Sequence, residues 1–299
     1  MTAGLLERLR AGQVLVADGA MGTMLQERGL KPGDCPEAVN LERPVVLEEI
    51  ARLYLEAGAD LVQTNPFGGS PMKLAQYGLD DRTEEVNRSA VEAVRRAVGG
   101  QALVSFSCGP TGRMLKPYGD ADPEEVRRAF CRQLKAAAAA GADVVCVETM
   151  TDLGEAVLAV EASKSAAPGV PVMATMTFDR TKKGYRTIMG VSVAQAAEGL
   201  AKAGADVVGS NCGNGIDNMV EIAREFLRST RIPLLVQSNA GMPEMRGGRA
   251  VYGETPELMA SKVAALLEAG ANIIGGCCGT TPAHIAAIRK AVSAKSPGR

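Results

Sequence analysis

Glu268-Ala-Gly-Ala-Asn-Ile-Ile-Gly-Gly-Cys-Cys278 has three counterparts in the same chain: Glu56-Ala-Gly-Ala-Asp-Leu-Val-Gln-Thr-Asn65, Ala140-Gly-Ala-Asp-Val-Val-Cys-Val-Glu148 and Lys202-Ala-Gly-Ala-Asp-Val-Val-Gly-Ser-Asn-Cys212. Each follows a stretch of helical apolar periodicity and opens into a β-branched run of strand length. Gly58, Gly141, Gly204 and Gly270 stand where a helix closes on a left-handed residue. They lie 83, 63 and 66 residues apart, too far for a solenoid repeat. Alternate units of a (β/α)8 barrel give a spacing of that order.

The intervening strands are expected at Val14–Ala17, Ala102–Ser107, Val170–Thr177 and Ile232–Gln237, with Pro233 tolerated near a strand's start. Helix starts are signalled by Asp122-Pro123-Glu124-Glu125, Thr255-Pro256-Glu257 and Thr281-Pro282. Eight units within 299 residues predict a single-domain α/β chain, a TIM barrel over 1–292 with a polar tail at 293–299. The composition is globular, at 46% apolar and 22% charged residues. A balance of 33 basic against 34 acidic residues argues against nucleic-acid or polybasic membrane binding. No apolar run reaches bilayer length, and Met1 to Arg10 reads as a helix rather than a signal peptide, so a cytoplasmic location is expected.

Counted from the four glycines, Asn65, Glu148, Asn211 and Cys277 fall in one register, with Cys212 and Cys278 next in line. That register is the C-terminal mouth of the barrel, where such folds keep their chemistry. Asp18-Gly19-Ala20 and Ser238-Asn239 land on the same rim. Seven cysteines without a secretory signal point to a reducing compartment and free thiols. Cys131 and Cys146 read as buried small hydrophobes, and Cys35 and Cys108 carry no assignment. Cys212 and the Cys277-Cys278 pair suit a tetrahedral zinc with one open position, provided the chain bends; Gly275, Gly276 and Gly279 offer that freedom. Spacing alone leaves unliganded structural thiols equally open. Three thiolates would make zinc a feeble Lewis acid that nonetheless holds an incoming thiol as thiolate. His284, the one histidine, is expected in a helix-end packing or hydrogen-bonding role.

Asp18-Gly-Ala-Met-Gly-Thr-Met-Leu25, Gln63-Thr-Asn-Pro-Phe67, Val147-Glu-Thr149, Gly209-Ser-Asn-Cys212, Asn239-Ala-Gly-Met-Pro243 and Gly275-Gly-Cys-Cys-Gly-Thr-Thr-Pro282 span nearly the whole chain. In these motifs the sequence resembles the zinc-dependent homocysteine S-methyltransferases, most of all the homocysteine-binding barrel of cobalamin-dependent methionine synthases. The resemblance implies that Cys212, Cys277 and Cys278 bind Zn2+ and that Asn239 occupies the open position when substrate is absent. It implies that Asp18 and Glu148 hold the homocysteine ammonium, that amides around Gly19 and Ala20 take its carboxylate, and that Asn211 belongs to the substrate site. The methyl donor it implies is methylcobalamin or a methylcorrinoid protein, not bound by this chain alone. The corrinoid would come from a partner or from C-terminal modules lying outside this sequence.

S-methylmethionine or betaine as donor, or another acceptor thiol, are the alternatives. With no Trp and ten aromatics, of which Phe67 and Phe106 approach the rim, an aromatic cage for betaine is disfavoured. From other classes, a phosphate-binding barrel would use Gly275 to Thr280 but leaves three thiols without a use. A Schiff-base aldolase lacks a lysine on any predicted strand. A non-catalytic homocysteine-binding module would share the same site. Gly241 to Gly253 is expected to form a mobile rim loop that meets the donor.

Overall fold

The computed structural model describes residues 3–246 and 249–295. Eight parallel strands, β1 (Leu15–Val16), β2 (Leu61–Gln63), β3 (Leu103–Cys108), β4 (Val144–Met150), β5 (Val172–Met176), β6 (Val207–Asn211), β7 (Leu234–Ser238) and β8 (Ala271–Gly276), alternate with helices. They pair in the order β1-β8-β7-β6-β5-β4-β3-β2. A parallel bridge from Ala17 to Leu61 closes the ring. Ala17 N–H donates to Ile274 O at 2.9 Å on one side, and Asp18 N–H to Leu61 O at 3.1 Å on the other. The predicted TIM barrel is therefore the observed one, with strand ends shifted by a residue or two.

The repeat explains how the strands find their register. Its four glycines have φ of 90, 88, 98 and 89°, the left-handed turn that only glycine enters freely. Two residues on, Asp60, Asp143 and Asp206 accept from the backbone N–H of Val16, Val104 and Val172, each at 2.8 Å, and Asn272 does the same for Leu234 at 2.9 Å. Every even strand thus clasps the base of the odd strand before it, where an N–H would otherwise lack a partner. The carboxylates are paired in turn: Asp60 with Arg8 (2.6 Å) and Arg289, Asp143 with Arg95 (2.8 Å), Asp206 with Lys164 (2.5 Å).

Inside the ring, Leu15, Leu61, Leu103, Val144, Met173, Val207, Leu235 and Ile273, one from each strand, form an apolar floor. Cys146 belongs to it, as a small hydrophobe, and Leu5 of the first helix (Leu5–Arg10) closes it from below. The larger core lies between strands and helices. Phe106 is fully buried there, so its ring faces the helices and not the rim as expected.

Asp122 caps the helix Pro123–Ala139 by accepting from Glu124 N–H at 3.0 Å. Thr255 caps Pro256–Ser261, accepting from Leu258 N–H at 3.3 Å. The last helix runs Pro282–Lys295, so positions 293–295 of the expected tail complete a helix, and 296–299 lie outside the described residues. Two hairpins sit on the mouth side: Asp179–Thr181 with Gly184–Arg186 after β5, and Glu244–Arg246 with Arg249–Val251 after β7. The second lies in the expected rim loop, whose residues 247–248 are outside the described ones. Among the described residues no helix is long and apolar enough to cross a membrane.

Asn272 shows that an amide suffices for the strand clasp. Asp206→Asn should therefore cost under about 1 kcal/mol of unfolding free energy, and Asp206→Ala about 1–3 kcal/mol by stranding the Val172 N–H. Denaturant titration of both variants checks the order, and equal losses would contradict it.

Candidate active site

Alternation along the strands places Gln63, Ser107, Glu148, Thr175, Asn211 and Gln237 on the inner face above the apolar floor. Glu148, 7% exposed, is the centre of this polar layer. Its Oε1 accepts from Gln63 Nε2 at 2.6 Å and from the Ser107 hydroxyl, and its Oε2 from Asn211 Nδ2 at 3.3 Å. Burial pushes Glu148 up to about 7 against the Ser107 hydrogen bond. Asp18, one residue past the Ala17 bridge, accepts from Gln63 N–H at 2.7 Å. Burial, opposed by that N–H and reinforced by the Glu148 charge, pushes Asp18 up to about 8. Among the described residues neither carboxylate has a basic side chain in ion-pair range. Two buried carboxylates without a counterion form a receptor for a cation.

Backbone bends set the site's shape. Between Val147 and Met150 the pairing of β4 with β5 slips, forming a bulge with Thr149 at φ 58°. Asn211 holds this bulge: its Oδ1 accepts from Thr149 N–H (2.7 Å) and Thr175 Oγ1 (2.7 Å), and its Nδ2 donates to Thr149 Oγ1 (2.7 Å). Cys212, at φ 60°, is the other non-glycine in the left-handed region among the described residues. Each such residue stores about 1–3 kcal/mol, sustained only where its surroundings hold it.

The three cysteines meet. Their Sγ atoms lie within 4.8 Å of one another, and Cys212 and Cys278 are 3.8 Å apart. With metal–sulfur bonds of about 2.3 Å, a tetrahedral edge measures about 3.8 Å. A disulfide would need about 2.05 Å, and all three are free thiols. Thr280 N–H donates to Cys277 O at 3.1 Å, closing a four-residue turn with Gly279 at φ 79°. This turn is the bend that brings both adjacent thiols to one place. Gly275 and Gly276, expected to help, serve close approach instead: a Cβ there would stand 2.7 Å from Ala17 Cβ and 2.2 Å from Thr280 Oγ1. Without metal, Cys278 is favoured as thiolate because Cys212 and Cys277 donate to it. Asn211 Nδ2 also reaches Cys277 Sγ at 3.8 Å, linking the sulfurs to Glu148.

The surrounding loops are tied together. Ala240 N–H donates to Cys278 O (3.0 Å), and Asn239 N–H to Asn214 O (3.1 Å). Asn239 Oδ1 is buried without a partner among the described residues. Glu254 Oε2 accepts from Ile216 N–H at 3.0 Å, capping the helix that follows the Cys212 loop. Thr281 N–H donates to His284 Nδ1 (3.1 Å), so Nε2 carries the proton and donates to Glu254 O at 3.0 Å. The histidine's expected structural role is the observed one.

Gly19 and Ala20 lie against Thr280, whose Oγ1 accepts from Ala20 N–H at 3.2 Å. Asn65 is not brought in: its amide turns away to Pro36 O (2.7 Å) and Asn40 Oδ1 (2.8 Å). Tyr252 and Glu254 were not legible in the sequence. The Tyr252 ring packs 2.1 Å from where a Gly279 Cβ would be, and burial with the nearby Cys278 charge pushes its hydroxyl up to about 12.

Glu148 and Asp18 titrate higher folded than unfolded, so each contributes stability below its unfolded value and loses it as pH rises through its folded value. Glu148→Gln removes one such group. Relative to the ligand-free wild type, this variant should gain stability between about pH 5 and 8, by up to about 3 kcal/mol. Parallel unfolding curves at all pH values would contradict the assignment.

A family model described as homocysteine S-methyltransferase matches residues 15–292. The methionine synthase of Mycobacterium leprae is 35% identical over 98% of this chain and 25% of its own length. That of Mycobacterium tuberculosis is 35% identical over 94% of this chain and 25% of its own. This chain thus spans about a quarter of the length of these relatives. The metallated form of the homocysteine methyltransferase MmuM from Escherichia coli superposes with a TM-score of 0.79 at 26% identity, covering 97% of this chain and 99% of that one. The family model spans nearly the whole barrel, and the chain belongs to the homocysteine S-methyltransferase family.

Proposed function

We propose that this chain holds zinc through Cys212, Cys277 and Cys278 and methylates homocysteine on sulfur, giving methionine. One observation carries the reading: three sulfurs within 4.8 Å of one another stand in the same barrel mouth as two buried carboxylates that have no basic partner among the described residues. Zinc bound there lowers the pKa of an incoming thiol and keeps it a thiolate, a nucleophile suited to a soft methyl electrophile.

The chain's own groups position the amino acid. Asp18 and Glu148 receive its ammonium, which draws both into the ionised form. Of the amides around Gly19 and Ala20, that of Ala20 is held by Thr280 Oγ1, so that of Gly19 and those opening the helix Met21–Glu27 are left to face its carboxylate. Asn211 keeps Glu148 and the Cys277 sulfur at a fixed separation. Asn239, whose Oδ1 has no partner among the described residues, would be the neutral oxygen available to the metal before substrate binds.

The donor in this reading is a methylcorrinoid delivered by a partner protein or by modules outside this sequence, in a reducing cytoplasm. The methionine synthase relatives, four times as long as the matched barrel, favour it. A free small-molecule donor is the second reading, favoured by MmuM, a homocysteine methyltransferase that this chain covers almost end to end. S-methylmethionine fits better than betaine, because Phe106 faces the helices, and Phe67, 39% exposed, and Tyr252, packed at Gly279, fall short of an aromatic cage. Assays of homocysteine and zinc with methylcobalamin, S-methylmethionine and betaine separate the donors.

The purified protein should carry about one zinc per chain. Cys277→Ala should lose both metal and methyl transfer while its circular dichroism stays near that of the wild type. Full zinc retention in that variant would overturn the assignment.

A further inference from the structure

We propose that Gln237 is a substrate contact: its side-chain oxygen accepts one of the three N–H donors of the substrate ammonium, completing a cradle with Asp18 and Glu148. The inference rests on the reading of the site as a homocysteine site.

Gln237 lies on β7, where Leu235 points into the barrel floor and Val236 out to the helices, so Gln237 points inward. It pairs in register with Asn211 on one side and Gly275 on the other. Asn211 carries the contact to Glu148, and Gly275 packs against Ala17 Cβ and the Asp18 carbonyl, 2.7 and 3.0 Å from where its own Cβ would stand. Beyond Gly275 lies Asp18, whose carbonyl accepts from Gly276 N–H at 2.9 Å. Gln63 and Ser107 lie on the short arc between the two carboxylates, and Gln237 faces them from the longer arc, across the mouth of the ring.

The rest of the layer is satisfied internally. Gln63 and Ser107 donate to Glu148, and Thr175 donates to Asn211. Gln237, 3% exposed, has an Oε1 with no partner among the described residues. Ser210 also has an orphaned oxygen, but alternation turns it outward, and those of Asn87 and Gln133 sit on helices. A buried acceptor without a donor is costly and persists where a ligand supplies the donor. An amide suits the position, since a third carboxylate would add a like charge to a pair that burial already holds partly protonated.

Gln237→Met keeps the side chain's length and removes the orphaned oxygen. Calorimetric titration of the zinc-loaded wild type and Q237M with L-homocysteine and with 4-mercaptobutyrate, which lacks the ammonium, tests the proposal. Q237M should unfold at or above the wild-type temperature and keep its zinc. It should bind homocysteine roughly tenfold or more weakly, and 4-mercaptobutyrate within about twofold of wild type. Unchanged homocysteine affinity, or equal weakening of both thiols, would overturn the role of Gln237. Should Q237M fail to fold, Gln237→Leu removes the same acceptor and is judged identically. Failure of the wild type to bind homocysteine would instead sink the underlying reading of the site.

Discussion

Closure of the eight-strand ring leaves each inward side chain no freedom in choosing its neighbours. Once Ala17 bridges to Leu61, strand order and two-residue alternation decide which groups meet. The lower turn of the alternation is apolar and packs into a floor, and the upper turn is polar and bonds to itself around Glu148. The same constraint sets β6 and β8 on either side of β7, which is why thiols 65 and 66 residues apart in the chain stand together.

Regular strands could not finish the site. A strand continued straight through Cys212, or through Cys277 and Cys278, would send adjacent side chains to opposite faces. The left-handed residue at Cys212 and the turn closed by Gly279 replace that alternation where it would separate the thiols. Thr149 bends β4 just past Glu148, and the Asn211 side chain bonds to Thr149 and reaches the Cys277 sulfur. Such backbone strain is sustained by the packed barrel beneath it.

The barrel was legible because four copies of one turn marked alternate units, and the three cysteines because each ends a strand that follows such a turn. What escaped the sequence depends on parity and contact across the fold. Phe106 lies in a strand buried on both faces, where apolar residues occur at every position and the inward side cannot be read. Asn65 has the right count from its glycine, yet β2 ends at Gln63 and the chain turns before reaching it. Glu254 and Tyr252 belong to no motif, and their partners come from loops distant in sequence. The glycines of the repeat were read as its signal, whereas the Asp two positions later makes the bond that sets the register.

Those Asp and Asn clasps all act at the end of the barrel opposite the sulfurs. Alignment of the scaffold is thereby decided at its foundation, before any segment at the crown is in place. Evolution can lengthen, trim or exchange the crown without unsettling what lies underneath. A lineage built this way is free to change what its crown binds while inheriting the same floor intact.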